Sequence, residues 1–482
     1  MIADLKPYAA YKDSGLAWLG AVPGHWDVLP NRAIFFEVQD RNHSAEQMLS
    51  VTISRGIVKQ SDLLLNNSKK DSSNLDKSAY KLIQKRDIAY NKMRAWQGAI
   101  GASNLRGIIS PAYVVMRLRN DKNESEYFHH LFRTPGFAKE AERWSYGITS
   151  DMWSLRPEHF RLIYSLRPPL LEQAAITRFL NSTSSRIEMT IRAKRKVIAL
   201  LNEQKRIIIL QAVTQGMDPA VLLKPTGLPW LPAIPTHWEI RRFRTLVRGI
   251  DQGVSPQTVG FLAEGDSWGV LKSGCVNRGV FRETEHKQLA SNFTIDPAIA
   301  VAIGDVLISR ACGSPSLVGS VGRVKSLRYR LILSDKTFRA VFNAAVDTDF
   351  MVLAMNSRYY RAQVEQAISG AEGMANNLPL SSLKDFRFAI PPKAEALAIA
   401  RSVGEATAGI DTRMARLERE IDLLREYRTR LIADVVTGKL DVREAALHLP
   451  DATAPDAEAT VDDLDSDDEL DDAELTEETT KA

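Results

Sequence analysis

Two stretches of the chain carry apolar residues in steps that alternate between four and three. In the later one they are Ile410, Met414, Leu417, Ile421 and Leu424, followed by Leu431 and Val435. In the earlier one the matching positions are Ile187, Ile191, Lys194, Ile198, Leu201, Lys205, Ile208 and Ala212. That spacing is a heptad seam on a long helix. Pro168-Pro169 and Pro391-Pro392 stand just before the two stretches, where proline suits a first helical turn, and Gly216 and Gly438 stand just after them, where glycine ends a helix. Each helix of about 44 residues reaches roughly 66 Å, at about 1.5 Å per residue. Neither can bury its stripe alone, so the pattern predicts that the two pair antiparallel. Lys194, Lys205 and Arg428 interrupt the seam, and polar seam residues set register. Between the helical stretches the pattern changes to short β-branched or aromatic runs broken by glycines, such as Tyr113–Leu118, Asp305–Ile308 and Phe338–Phe342. Single helices are expected over Glu126–Trp144 and Asp349–Ala367. The predicted class is α+β: two mixed α/β domains in tandem, separated by two long antiparallel coiled-coil helices.

The tandem arrangement is visible in the residues. GLAWLGAVPGHW at 15–26 matches GLPWLPAIPTHW at 227–238 in one register, through Gly15/Gly227, Leu16/Leu228, Trp18/Trp230, Leu19/Leu231, Pro23/Pro235, His25/His237 and Trp26/Trp238. Farther on, Pro168-Pro169 matches Pro391-Pro392, Glu172 matches Glu395, Ile187 matches Ile410, and Val213-Thr214 matches Val436-Thr437. Each later copy is displaced by 212 residues at its start and 223 at its end. Two matched frameworks therefore bracket middles that differ in length and sequence. The implied boundaries are a first domain at 8–167, a first helix at 168–216, a second domain at 217–390, a second helix at 391–440 and a tail at 446–482. Trp18 and Trp230 read as core anchors, and His25 and His237 as structural.

Composition refines this picture. The 482 residues are 44% hydrophobic and 25% charged, an ordinary globular balance. No apolar run is long enough to span a membrane and the N-terminus has no apolar signal core, which reads as a cytoplasmic protein. Cys275 and Cys312 suit neither a zinc site nor a disulfide framework. The whole-chain charge of +4 hides an asymmetry: from Asp451 onward there are 14 acidic residues and one lysine, leaving about +17 on the rest. So basic a body suits a polyanion such as nucleic acid, while the acidic tail reads as disordered. Catalytic motifs are missing. GSVGRVKS at 319–326 fails the P-loop pattern, and there is no H-E-x-x-H or G-x-S-x-G.

Several segments resemble a known family. YKDSGLAWLGAVPGHW at 11–26 is similar to the opening of type I restriction–modification DNA specificity subunits. DIAYNKMRAWQGAIG at 87–101 resembles the middle motif of their target recognition domains, with GDVLISRACGSPSLVGSVG at 304–322 as its counterpart. PPLLEQAAI at 168–176 resembles the start of their long helix, and LLREYRTRLIADVVTGKLD at 423–441 its end. The resemblance spans roughly residues 8–445; it departs at PPKAEA (391–396), where a usual Glu-Gln pair is reduced to Glu395, and in the acidic tail. It implies a non-catalytic subunit in which each globular domain reads one half of a bipartite double-stranded DNA site. It also implies that the helices separate the domains and dock two methyltransferase subunits, which motor–nuclease subunits join. The chain itself would bind no cofactor; S-adenosylmethionine, ATP and magnesium would belong to the partners. A complex that only methylates is the alternative within the same reading.

Base reading calls for basic and amide side chains on loops that reach base edges. In the first domain the candidates are Lys92, Arg94, Trp96 and Gln97 before Gly98, with Arg55, Lys69 and Lys70. In the second they are Ser309, Arg310 and Ser314, with Lys272 and Arg278. The competing possibility is that NKMRAW and LISRAC are framework and more varied loops do the reading. Two other classes are an enzyme with its own nuclease or methylase, which the missing motifs oppose, and a coiled-coil scaffold for protein alone, which the basic body opposes.

Overall fold

The computed structural model describes residues 5–64, 76–147, 153–290, 293–368 and 376–449. The chain divides into two compact units, Met1–Arg195 with Glu418–Ala482, and Lys196–Leu417. Each long helix is thus shared between them.

The first unit is built on a four-stranded antiparallel sheet in the order Phe35–Val38, Tyr113–Leu118, Ile88–Asn91, Ile100–Ala102. One face packs on the helices Ser125–Phe132 and Pro135–Arg143 through an aromatic cluster that includes Phe35, Phe128, Phe132 and Phe160. A single helix over Glu126–Trp144 was the expectation; the structure breaks it at Thr134. Pro135 has no N–H for the preceding turn, so the helix restarts there with the Thr134 hydroxyl accepting from Phe137 N–H. The other face packs on a smaller cluster with Leu49, Val51, Ile83 and Val115.

The second unit repeats the sheet in the same order and sense: Val247–Gln252, Thr337–Phe342, Val306–Ser309, Val321–Arg323. Its helix pair is Thr348–Ala354 and Arg358–Ala367, again two helices where one was expected over Asp349–Ala367, with Ser357 extended between them. A three-stranded sheet of His286–Gln288, Trp268–Leu271 and Arg330–Ile332 forms a separate small core. The differing middles therefore share the four-stranded sheet and its order, and differ in the smaller sheets around it.

The long helices are Leu170–Gln215 and Lys393–Val436, and they pack antiparallel. In the first unit Lys194 Nζ meets Glu420 Oε2 at 2.6 Å and Arg428 Nη1 meets Glu188 Oε2 at 2.9 Å. In the second, Lys205 Nζ meets Asp411 Oδ1 at 2.6 Å. All three polar interruptions of the seam thus find an acid on the other helix, and Lys205–Asp411 is the repeat counterpart of Arg428–Glu188. At such partly exposed sites each pair contributes under about 1 kcal/mol, so their work is register. Ile187, Ile191, Ile410, Ile421, Leu431 and Val435 are buried, and Ile198, Leu201, Ile208, Met414, Leu417 and Leu424 half-buried. Leu200 and Leu423, a matched pair off the seam, are 63% and 53% exposed.

The matched frameworks prove to be the joints between helix and domain. Trp26 and Trp238 are fully buried. His25 Nε2 lies 2.8 Å from Glu172 Oε2 in the first unit, and His237 Nε2 lies 2.8 Å from Glu395 Oε2 in the second. Gly438 and Gly216 end the helices at φ +78° and +77°, and a Cβ at Gly438 would stand 3.0 Å from Trp26 Cζ3. Glycine is required there for conformation and space together. Trp18 and Trp230 are half-buried anchors, Trp18 edge-on to Phe137 and Trp230 stacked on Tyr359. Of the segment 446–482 expected to be disordered, Ala446 is buried and Leu449 packs against the first core; 450–482 lie outside the described residues.

Candidate nucleic-acid interface

In the first unit the candidate loop is the turn joining strands Ile88–Asn91 and Ile100–Ala102. A short 3-10 helix, Ala95–Gln97, tightens it, and Gly98 at φ +99° closes it. Within it Arg94 Nη1 donates to Gln97 Oε1 at 2.7 Å, presenting a guanidinium and an amide side by side. Those are the groups that pair with guanine and adenine edges. Trp96 donates to the Met93 carbonyl, sits 5.7 Å from the Trp153 ring and packs against the main core, so it anchors the loop. Lys92 is half-buried, its carbonyl accepting from Leu155 N–H. Arg55 is exposed at the turn between strands Leu49–Thr52 and Gly56–Lys59. Lys69 and Lys70 lie outside the described residues.

Arg133, which pattern reading passed over, brings these two turns together. It follows the helix Ser125–Phe132 and spreads its guanidinium over four carbonyls: Nη2 donates to Ile53 (2.5 Å) and Ser54 (2.7 Å), and Nη1 to Gly98 (3.1 Å) and Ile100 (3.0 Å). Burial, helped by the Arg428 charge, lowers its pKa to about 10. Its neighbours His129 and His130 are held neutral. His129 accepts from Ala102 N–H through Nδ1, and burial pushes it well below the usual imidazole value. Burial, with the Arg133 charge adding to it, brings His130 to about 4, against a hydrogen bond with Asn181 that favours the charged form.

These shifts have a consequence for acid stability. The folded form resists protonation at pH values where the unfolded chain takes up protons, so stability is lost as pH falls from about 6.5 towards about 4. For the half-buried His130 the expected loss over that window is about 2 kcal/mol, after allowance for solvent. Denaturation at a series of pH values should show the fall in the native chain, with a shallower one in His130→Gln. Parallel curves for the two would refute the assignment.

In the second unit the equivalent loop joins strands Val306–Ser309 and Val321–Arg323. The structure corrects one candidate: Ser309 is fully buried, its hydroxyl directed at the Ser273 carbonyl, because it ends a strand whose two faces are both covered, Val306 and Ile308 by one core and Leu307 by another. It cannot touch DNA from there. Arg310 is braced, donating to the Asp335 carbonyl at 2.9 Å and lying 5.8 Å over the Phe338 ring. Ser314 is exposed, its hydroxyl 2.9 Å from that of Ser316. Lys272 faces Glu285 at 3.8 Å. Arg278 is exposed at φ +58°, in a segment that packs on this sheet through Val276 and Gly322. A second unforeseen arginine, Arg361, holds the loop: Nη1 donates to Ser316 (3.2 Å) and Val318 (2.5 Å), and Nη2 to Pro315 (3.2 Å).

The motif residues Asp87 and Asp305, by contrast, are framework. Asp87 takes both arms of Arg117, at 2.7 and 2.8 Å, and Asp305 faces Arg339 at 3.3 Å. Among the described residues no cluster of three His, Cys, Asp or Glu side chains forms a metal site, and no helix is long and apolar enough to cross a membrane.

No family model matches the chain. Over 187 residues, 38% of this chain and 31% of the relative, it is 28% identical to the type I restriction enzyme EcoEI specificity subunit of Escherichia coli. Over 215 residues, 43% of this chain and 44% of the relative, it is 25% identical to the type I restriction enzyme StySPI specificity subunit of Salmonella potsdam. The chain thus spans less than half the length of either curated relative. In fold it is similar to a chain in a solved structure concerned with complex assembly and conformational transition of the type I R-M system. The TM-score is 0.59 over 87% of this chain and 99% of that one, at 14% identity, a likeness of fold. By sequence over part of its length the chain is similar to the specificity subunits of type I restriction enzymes, and by fold over most of its length to a chain of a type I R-M system.

Proposed function

We propose that this chain is the DNA specificity subunit of a type I restriction–modification complex and performs no chemistry itself. Each unit reads one half of a bipartite double-stranded DNA target in the cytoplasm. The paired helices dock two methyltransferase subunits, and motor–nuclease subunits complete the assembly. S-adenosylmethionine, ATP and magnesium are used by those partners. The observation that carries this reading is the doubled sheet: one strand order, used twice, with matched joints at its base and a different basic or hydroxyl-bearing loop in each copy. Matched joints suit common partners, and unlike loops suit two unlike half-sites. The excess of positive charge over residues 1–450 suits the phosphate backbone.

The test is an exchange of middles. Replacing residues 27–166 with the corresponding segment of a relative, expressed with the methyltransferase subunits, should change one half of the methylated sequence and leave the other intact. A change in both halves, or in neither, would overturn the modular reading.

A further inference from the structure

In each unit one arginine outside the candidate loop reaches that loop's carbonyls. Arg133 bonds Ile53, Ser54, Gly98 and Ile100, and so ties the turn that bears Arg55 to the turn that bears Arg94 and Gln97. Arg361 bonds Pro315, Ser316 and Val318, the residues that follow Ser314. The two are not repeat equivalents. The repeat position of Arg133 is held by Asn356, whose amide donates to the Val321 carbonyl at 2.9 Å, as Arg133 donates to Ile100 on the matching strand. That bond belongs to the shared framework. The bonds to the loop itself come from a different arginine in each unit, on a different helical position, and each set fits the loop it holds.

We propose that Arg133 and Arg361 are positioning residues for half-site specificity, each holding the reading loop of its own unit in one shape. The inference rests on the DNA-reading function proposed above and adds the groups that set the loop geometry. A planar fork of five N–H donors reaches three or four carbonyls spread over one or two turns from two nitrogens held apart; an ammonium of the same charge supplies three donors from one point. Base-edge contacts discriminate through bidentate geometry, and a displacement of about 1 Å is enough to lose it.

The experiment expresses the full chain with the methyltransferase subunits of its own system and reads base preference by methylome sequencing. Arg133→Lys should relax preference in one half of the bipartite motif by about tenfold, the loss of one bidentate contact, with the other half unchanged. Arg361→Lys should do the same to the opposite half. Arg133→Gln, which is shorter and keeps only two N–H donors, should relax preference at least as much as lysine. Thermal melts by circular dichroism accompany each variant; should Arg133→Lys fail to fold, the Gln variant and Arg361→Lys carry the test. Uniform loss of methylation with preference unaltered, an unchanged motif, or both variants affecting the same half would overturn the positioning role while leaving the specificity-subunit reading in place. A native chain that confers no bipartite motif would overturn both.

Discussion

Replacing Trp26 with alanine is expected to lower the stability of the first unit by about 3–5 kcal/mol, the usual cost of a large aromatic truncated in a core. The indole is fully buried, with Tyr8 at 5.6 Å and Tyr127 at 6.5 Å edge-on to it, and the helix-ending Gly438 pressed against its rim. Three parts of the chain far apart in sequence meet on this ring, so no single segment can collapse into the space left behind. Trp238→Ala should cost the second unit a similar amount. The two differ in polar detail. Trp238 Nε1 donates to Glu395 Oε1 at 3.1 Å, whereas Trp26 Nε1 has no partner among the described residues. Phenylalanine should therefore be better tolerated at 26 than at 238, where it takes the indole donor from Glu395 Oε1 and leaves the carboxylate only its contact with His237. Hydrogen exchange resolved by unit, together with chemical denaturation, would measure both. A loss below about 1 kcal/mol for Trp26→Ala would mean that the repeated tryptophan is not the joint described here.

Removing the guanidinium of Arg117 should be the second large effect. Asp87 is 1% exposed, and besides Arg117 it accepts from Gln84 N–H at 2.8 Å. Arg117→Met would leave a buried carboxylate with one donor, a change that costs about 3–5 kcal/mol at fully buried sites. Arg117 itself is 31% exposed, so water can reach the vacated side and about 2–3 kcal/mol is the expected loss. The cost should come from the stranded charge more than from the lost bond. The double variant Arg117→Met with Asp87→Leu should therefore regain much of the stability, as a double-mutant cycle would show. If the double variant were as unstable as the sum of the single ones, the pair would be acting through packing.

The motif that opens with Asp87 illustrates how far residues alone could be read. DIAYNKMRAWQGAIG is conspicuous because it builds a strand, a tight turn and a returning strand, and most of its letters serve that hairpin. Asp87 holds a neighbouring strand and Trp96 anchors the turn, leaving Arg94 and Gln97, both half-buried, bonded to each other. The counterpart LISRAC misled in the same way at Ser309: its strand is buried on both faces, and the second covering comes from segments that only the folded unit brings there. Arg133 and Arg361 gave no signal at all, since neither lies in a repeated motif and the carbonyls they bond belong to loops of no fixed pattern. Arg133 lies about 80 residues from Ile53 along the chain. The breaks at Thr134 and Ser357 were closer to legible, because Thr-Pro is itself a helix start.

By itself the sequence determined the doubling, the span of both long helices, their antiparallel seam with its three polar interruptions, and the glycines and tryptophans of the joints. All of these are local or periodic: they follow from side-chain spacing on a helix, from the conformational limits of proline and glycine, and from repetition in register. The order of the strands, the burial of Ser309, the stranded-charge environment of Asp87 and the two arginine forks were decided only in the tertiary structure. Each depends on which distant backbone groups are brought within 3 Å of a side chain, and a hydrogen-bond donor carries no mark in the sequence of the carbonyl it will meet.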